Sequence, residues 1–240
     1  MIRNLSGMDE FFKAEDLQRV VWGRDDTPDP ADLMMAIQQE GGLVGGAFDD
    51  EELVGYVFGF PTRDPKIQHS HRLAVSPKAR GCGLAVQLKQ FQRSWCLERG
   101  IELVRWTFDP LRHINANLNV GRLGASCSTY LPDYYGTMKG INAGLASDRL
   151  LADWQLMSPR VVELVCGSKT ESFQEDISGP SDFIVKIPEN LDQLLAEDKA
   201  VAMAARVRVR ERLTAAFEKG YMIAGYDASR FAYVLKQNGQ

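Results

Sequence analysis

Apolar and polar residues recur along this 240-residue chain with two periods, one helical and one extended. Residues 8–22 place Phe11, Phe12, Leu17, Val20 and Val21 roughly on one side of a 3.6-residue repeat, which predicts a helix. The run from Asp25 to Pro30 reads as a turn. A second helix over about 31–40 is stopped by Gly41-Gly42, since glycine accepts the left-handed conformation that ends a helix. Residues 1–5 suit a short strand. A hairpin follows, with strands at 43–48 and 53–60 around the turn Asp49-Asp50-Glu51, closed by Pro61. A charged loop over 62–66 leads to a strand at 68–75. Ser76-Pro77 ends it, because proline cannot continue a central ladder.

Residues 84–99 give the clearest helix, with Leu84, Leu88, Phe91 and Trp95 in one apolar stripe and Gly100 as its stop. A strand over 101–108 runs into Asp109-Pro110. A short helix over 115–123 stops at Gly124, and 125–131 and 149–157 read as extended. The tail predicts strands at 161–166 and 183–187 around a polar loop at 167–182. Helix over 189–219, in one or two pieces, and a closing hairpin at 221–226 and 231–235 complete it. A helix end, a charged pair, a glycine and a strand recur at 213–225 as at 95–104, an echo too short to count as a repeat.

Composition narrows the class. Hydrophobic residues make up 45% and charged residues 25%, ordinary for a globular chain able to bury its own core. The net charge of −4 argues against a nucleic-acid partner. Cys82, Cys96, Cys127 and Cys166 match no metal-ligand spacing and no disulfide framework, so no metal is expected and a reducing, cytoplasmic setting fits. No apolar run approaches the ~20 residues of a membrane span, and Asp9, Glu10, Glu15 and Asp16 interrupt the first 23 residues where a signal peptide would be apolar.

Chemistry concentrates in Arg80-Gly81-Cys82-Gly83-Leu84-Ala85. A strand ends, two closely spaced glycines follow, and an amphipathic helix begins with no carboxylate in its first turn. The helix amides and the positive end of its dipole are then available to an anion, and glycine lets the backbone approach a phosphate. A Walker loop would need Gly-Lys-Ser/Thr at the helix start, where Leu84-Ala85 stand. A dinucleotide fingerprint would need glycine where Val86 stands. The segment fits R/Q-x-x-G-x-G/A at every fixed position. A bare strand-to-helix turn with no ligand is the bland alternative.

With that loop, residues 1–157 resemble the GNAT superfamily of acyl-CoA-dependent acyltransferases. They are similar to a long branch of it at His69-Ser70-His71, at 106–111, at Asn115-Ala116-Asn117, at Tyr134-Tyr135-Gly136, at Ser147-Asp148-Arg149 and at Trp154. The resemblance implies an α/β fold with a mixed, mostly antiparallel central sheet, splayed at the acyl-CoA site and flanked by helices. It implies a catalytic domain at 1–157, and at 158–240 an α/β extension that a degenerate half-repeat would explain. It also implies transfer of an acyl group from CoA, acetyl or succinyl, to a small-molecule amine such as that of an amino acid. Arg80 to Ala85 are then the cofactor-binding residues, with Leu73 and Val75 on the strand entering the loop and Asn117 beyond it. A non-catalytic acyl-CoA-binding module is the competing function. Neither nucleic acid nor membrane is an expected partner, and a homodimer is an open option.

Amine acylation needs a base, because most amines are protonated at neutral pH. His69 and His71 lie two apart on the strand before the loop, hence on one face, and imidazole titrates in the useful range. Residues 69–75 also resemble the H-x-H-x-L-A-V strand of serotonin N-acetyltransferases, where paired histidines serve proton removal. The alternative is that they are hydrogen-bonded core or edge histidines. Asp109 is a candidate second base or amine-binding group, or simply a turn residue. The position where the family usually carries its acidic tyrosine holds Val120, which leaves Tyr135, with Tyr130 and Tyr134, as substitutes. Arg149 and Arg72 are candidates for a substrate carboxylate, Arg72 lying across the strand from His71. The run Arg206, Arg208, Arg210, Arg212 reads as a solvated helix face.

Overall fold

Three glycines set how a helix lies against the first sheet. That sheet runs in the order β1 (Ile2–Asn4), β2 (Leu43–Asp49), β3 (Glu52–Pro61) and β4 (Ile67–Val75), all antiparallel, followed by β5 (Leu103–Phe108), which is parallel to β4. Gly45, Gly55 and Gly59 of β2 and β3 lie beneath helix α3 (Leu84–Leu97). A Cβ on Gly45 would sit 2.6 Å from the Phe91 ring, and one on Gly55 would sit 3.0 Å from Leu88. The missing side chains let the Leu84–Leu88–Phe91 stripe approach the strands closely. The computed structural model describes residues 1–23, 26–136, 146–167 and 183–237, and the chain divides into two compact units, Met1–Trp106 and Thr107–Gln240.

In the first unit the opposite face of the sheet is covered by α1 (Met8–Trp22) and α2 (Ala31–Gln39). Phe11, Leu17, Met34, Tyr56, Phe58 and Ala74 form the core there. The buried side of α1 is Phe11, Ala14, Leu17 and Gln18, while Phe12 and Val20 face solvent, so the stripe predicted for this helix is only half right. Of the predicted turn after α1, Asp25 lies outside the described residues.

Within the second unit the strands pair antiparallel in the order β7 (Arg149–Gln155), β6 (Ser126–Leu131), β9 (Tyr221–Asp227), β10 (Ala232–Gln237), β8 (Phe183–Lys186). Helix α4 (His113–Ala116) passes into a π-helical turn, Asn117–Arg122. Helices α6 (Leu191–Glu197) and α7 (Lys199–Glu218) are each capped by a side chain, Asn190 accepting from the Gln193 amide and Asp198 from the Val201 amide.

Two expectations are overturned in this unit. Residues 161–166 are not a strand but most of α5 (Pro159–Val165), which Ser158-Pro159 starts as an N-cap followed by proline in the first turn. The arginines of α7 are not simply a solvated face. Arg206, 3% exposed, makes a two-pronged ion pair with Asp109 at 2.8 and 2.9 Å, and Arg210 clasps buried Asp148 at 2.6 and 2.9 Å. Spacing of four residues puts both on one side of the helix. All of the predicted polar loop but Gly167 lies outside the described residues.

Candidate functional site

Glycines shape the loop that follows β4. Gly81 and Gly83 adopt φ of +84° and +80°, a region closed to most side chains, although the space around both is open. The requirement is therefore backbone conformation, not room. Gly83 caps α3 from the left-handed region, and the first bonds of the helix run from the Val86 and Gln87 amides to the Gly83 carbonyl at 3.0 and 3.2 Å. The amides before Val86 have no intrahelical acceptor, and the first turn carries no acid, so the loop's donors stand at the positive end of the helix dipole. Arg80 is exposed beside it, its Nε 3.3 Å from the Val75 carbonyl. Cys82 is exposed in the same loop.

Beneath the loop, β4 separates from β5. Their ladder consists of Ile67↔Leu103, Gln68↔Val104 and His69↔Arg105, although β4 continues to Val75. Beyond His69 the β5-facing edge of β4 is left for another partner, and Leu73 and Val75 lie on that stretch. On its other edge β4 carries a bulge against β3: Gly59 pairs Ser70 and Phe58 pairs Arg72, so His71 has no opposite number. The bulge also breaks the alternation of faces. Arg72 does not lie across the strand from His71; both reach Asp29. The His71 Nε2 is 3.2 Å from Asp29 Oδ1, and Arg72 Nε is 3.0 Å from Asp29 Oδ2.

The two histidines differ in surroundings. His69 stacks on Phe60 with ring centres 4.8 Å apart, and burial, helped by His71, Lys89 and Arg105, lowers its pKa to about 4. It is neutral at physiological pH and a weak base. His71 lies against Phe58 and Phe60, each at 5.6 Å, with its side chain 38% exposed and its ring held by a carboxylate. Asp29 is itself held by Gln18, whose Oε1 accepts from the Asp29 amide at 2.8 Å. Sequence reasoning read Asp29 as a turn residue; only the bulge brings it to His71. Phe60 also lines an apolar cavity of about 400 Å³ with Ala36, Ile37, Glu40 and Pro61, another feature that periodicity alone does not reveal.

The remaining candidates belong to the second unit. Both oxygens of Asp109 are taken by Arg206, and its Oδ1 also accepts from the Leu111 amide. Asn117 opens the π-helical turn, its Oδ1 against Gly121, where a Cβ would come within 2.8 Å. Tyr135 is exposed, its hydroxyl 3.1 Å from Thr107 Oγ1 and its ring under the Arg149 guanidinium at 5.0 Å. Tyr130 donates to Asp148 at 2.7 Å and is held protonated by burial and by that carboxylate. Val120 is fully buried. Arg149 donates to the Asp148 carbonyl, and the Asp148 carboxylate is held by Arg210. Among the described residues no cluster of three metal-ligating side chains occurs, and no helix is long and apolar enough to cross a membrane.

Comparison with known proteins agrees with this fold. Residues 8–118 match the acetyltransferase (GNAT) family model. No curated protein matches the chain. Among solved structures, aminoglycoside 6'-acetyltransferase type Ii superposes with a TM-score of 0.55 at 18% identity, covering 66% of this chain and 98% of its own. The ribosomal-protein-S18-alanine N-acetyltransferase from Escherichia coli gives 0.54 at 16%, covering 65% and 93%. An aminoglycoside 6'-N-acetyltransferase complexed with coenzyme A gives 0.53 at 15%, covering 66% and 98%. The fold is the mixed, mostly antiparallel α/β fold of these structures, and residues 8–118 are the part of the chain similar to the acetyltransferase (GNAT) family.

Proposed function

We propose that the protein transfers an acyl group, acetyl or succinyl, from coenzyme A to the primary amine of a small molecule such as an amino acid. The observation that carries the reading is the loop Arg80–Ala85, with its two left-handed glycines, following the stretch of β4 that no longer pairs with β5. The CoA diphosphate is assigned to those amides and to Arg80. The pantetheine arm is assigned to the free edge of β4 at Leu73 and Val75. A structural neighbour crystallised with coenzyme A supports the assignment.

His71 is the assigned base. Asp29 orients its ring, and the neutral imidazole takes the proton of the attacking ammonium directly or through one water. The amine then adds to the thioester carbonyl, the nitrogen gives up its second proton through water, the tetrahedral oxyanion collapses with cleavage of the C–S bond, and the leaving thiolate takes up that proton. The apolar cavity beside Phe60, with Glu40 at its rim, suits an acceptor amine bearing a hydrophobic side chain. Asp109, bound by Arg206, serves better as an anchor for that arginine than as a base. We also assign the catalytic domain to residues 1–157 and the extension to 158–240.

Titration calorimetry with CoA, acetyl-CoA and succinyl-CoA, followed by thiol release against a panel of amines and amino acids, tests the reading. CoA is expected to bind and to protect Cys82 from iodoacetamide. No heat with any thioester, and undiminished labelling of Cys82, would remove the proposal. Buried Val120 in the place of the usual tyrosine favours a non-catalytic binding module instead; that alternative prevails if CoA binds and no acceptor is turned over.

A further inference from the structure

Helix α3 buries a lysine. Lys89 is 2% exposed, in a row that also holds Gln92 and Cys96. Its Nζ donates to Ser70 Oγ at 3.0 Å and to Gln92 Oε1 at 2.7 Å, and lies 3.8 Å from the centre of the Trp106 ring. Gln92 in turn donates to Gln68 Oε1 at 2.6 Å. The location gives this network its meaning. The parallel ladder ends at His69↔Arg105, and the next residue on each strand is Ser70 on β4 and Trp106 on β5. One ammonium therefore holds both strands at the first position where they no longer pair. Ser70 is also the residue immediately before the bulge at His71.

A lysine in this position is a costly way to fill space. Burial lowers its pKa to about 7, which records how strongly the surroundings resist the charge. A methionine of similar length would pack there without that penalty. What the ammonium supplies, and methionine would not, is directional tethering of a hydroxyl on one strand together with a charge against an aromatic face on the other.

We propose that Lys89 is a positioning residue for acyl transfer: its ammonium, tied to Ser70 and seated on Trp106, fixes where β4 and β5 diverge and so the opening that receives the acyl thioester. The inference rests on the acyl-CoA reading and adds a residue to it. Lys89 acts through the strands and not on the substrate. Its charged form does the positioning, so turnover falls as the lysine loses its proton, with a descending limb above neutral pH. The charged and titratable groups around Lys89 are Cys96 on its own helix, held protonated by burial, His69 on β4, held neutral, and Arg105 on β5. None of these changes charge between about pH 6 and 8. Strands β2 and β3 present glycines to α3, so they add no titrating group.

The test compares wild type, Lys89→Met and Lys89→Arg as full chains, each checked by thermal melt. The measurements are CoA binding by calorimetry and kcat over pH 6–9 with acetyl-CoA and an active acceptor. Lys89→Met is expected to stay folded and to bind CoA within about threefold of wild type, and to lose about ten- to a hundredfold in kcat, the scale of a small misplacement at a reacting centre. Its profile should lack the descending limb. Lys89→Arg, charged at every pH, should recover part of kcat and also lack that limb. Ser70→Ala, which removes one tether and no charge, should show an intermediate kcat. A folded Lys89→Met with wild-type kcat and pH profile would overturn the inference alone. So would equal loss of kcat and CoA affinity in both lysine variants, which would mark a purely structural residue. Failure of wild type to bind CoA would overturn this inference together with the acyltransferase reading.

Discussion

An imidazole removes a proton efficiently when its pKa lies near the working pH. His69, lowered to about 4, falls well short, whereas His71 has an aligned carboxylate and access to solvent. His71→Ala is therefore expected to lower kcat by about a hundredfold with CoA affinity unchanged, measured by thiol release and calorimetry. Unchanged kcat across pH 6–9 would remove His71 from the mechanism. Asp29→Asn should reproduce part of that loss, because the ring loses its orienting acceptor. Asp109 predicts a different signature. Asp109→Asn leaves Arg206 buried without its counter-charge, at a cost of about 3–5 kcal/mol, so the variant should lose thermal stability whether or not it loses turnover. A variant melting like wild type would contradict the anchoring role. The distinction between the two acids was not visible in the sequence: Asp29 and Asp109 both look like turn residues, and only their long-range partners separate them.

Elements were legible where a single local rule decided them. Period and glycine stops gave α1, α2, α3 and the β2–β3 hairpin within a few residues. Residues 161–166 failed because a short apolar run fits helix and strand equally, and the Ser158-Pro159 start signal was passed over. The bulge in β4 failed for a deeper reason. Alternation assumes an unbroken ladder, and one extra residue moves His71 and Arg72 onto the same side. The loop was read correctly as an element because its glycines answer to backbone torsion, which is a local property. Gly83→Ala tests that. With φ at +80° and open space around it, the substitution should cost about 1 kcal/mol of strain and weaken CoA binding, read by calorimetry, without blocking the site sterically. Gly45→Ala should behave oppositely, lowering the melting temperature through the clash with Phe91 while leaving loop chemistry alone. If Gly83→Ala binds CoA as wild type does, the left-handed cap is not what presents the donors.

Across the whole chain, buried titratable groups set how stability follows pH. Groups with lowered folded pKa give stability that is lost as pH falls through the folded value: His69 between its ordinary ~6.5 and about 4, and Lys89 between its ordinary ~10.5 and about 7. Carboxylates held low by hydrogen bonds and charge, Asp148 by Arg210 and Glu10 by Arg3, add an acid limb below the usual carboxylate range. Groups raised by burial work in the other direction. Cys96, pushed up to about 12, and Cys127, pushed up further, stay protonated in the folded chain while the unfolded thiols ionise above about 9. Stability should therefore climb from acid to about pH 9 and decline beyond it, with Lys89 supplying the rise between 7 and 9. Each kcal/mol corresponds to about 2–4 °C in a chain of this size, so a series of melts resolves the curve. Lys89→Met should melt higher than wild type at pH 7 and show no rise from 7 to 9, because the group that resists protonation is gone. A wild-type melting temperature flat over that interval would mean that the Lys89 ammonium is not held at a cost, and that the vertex of β4 and β5 carries no charge-dependent strain.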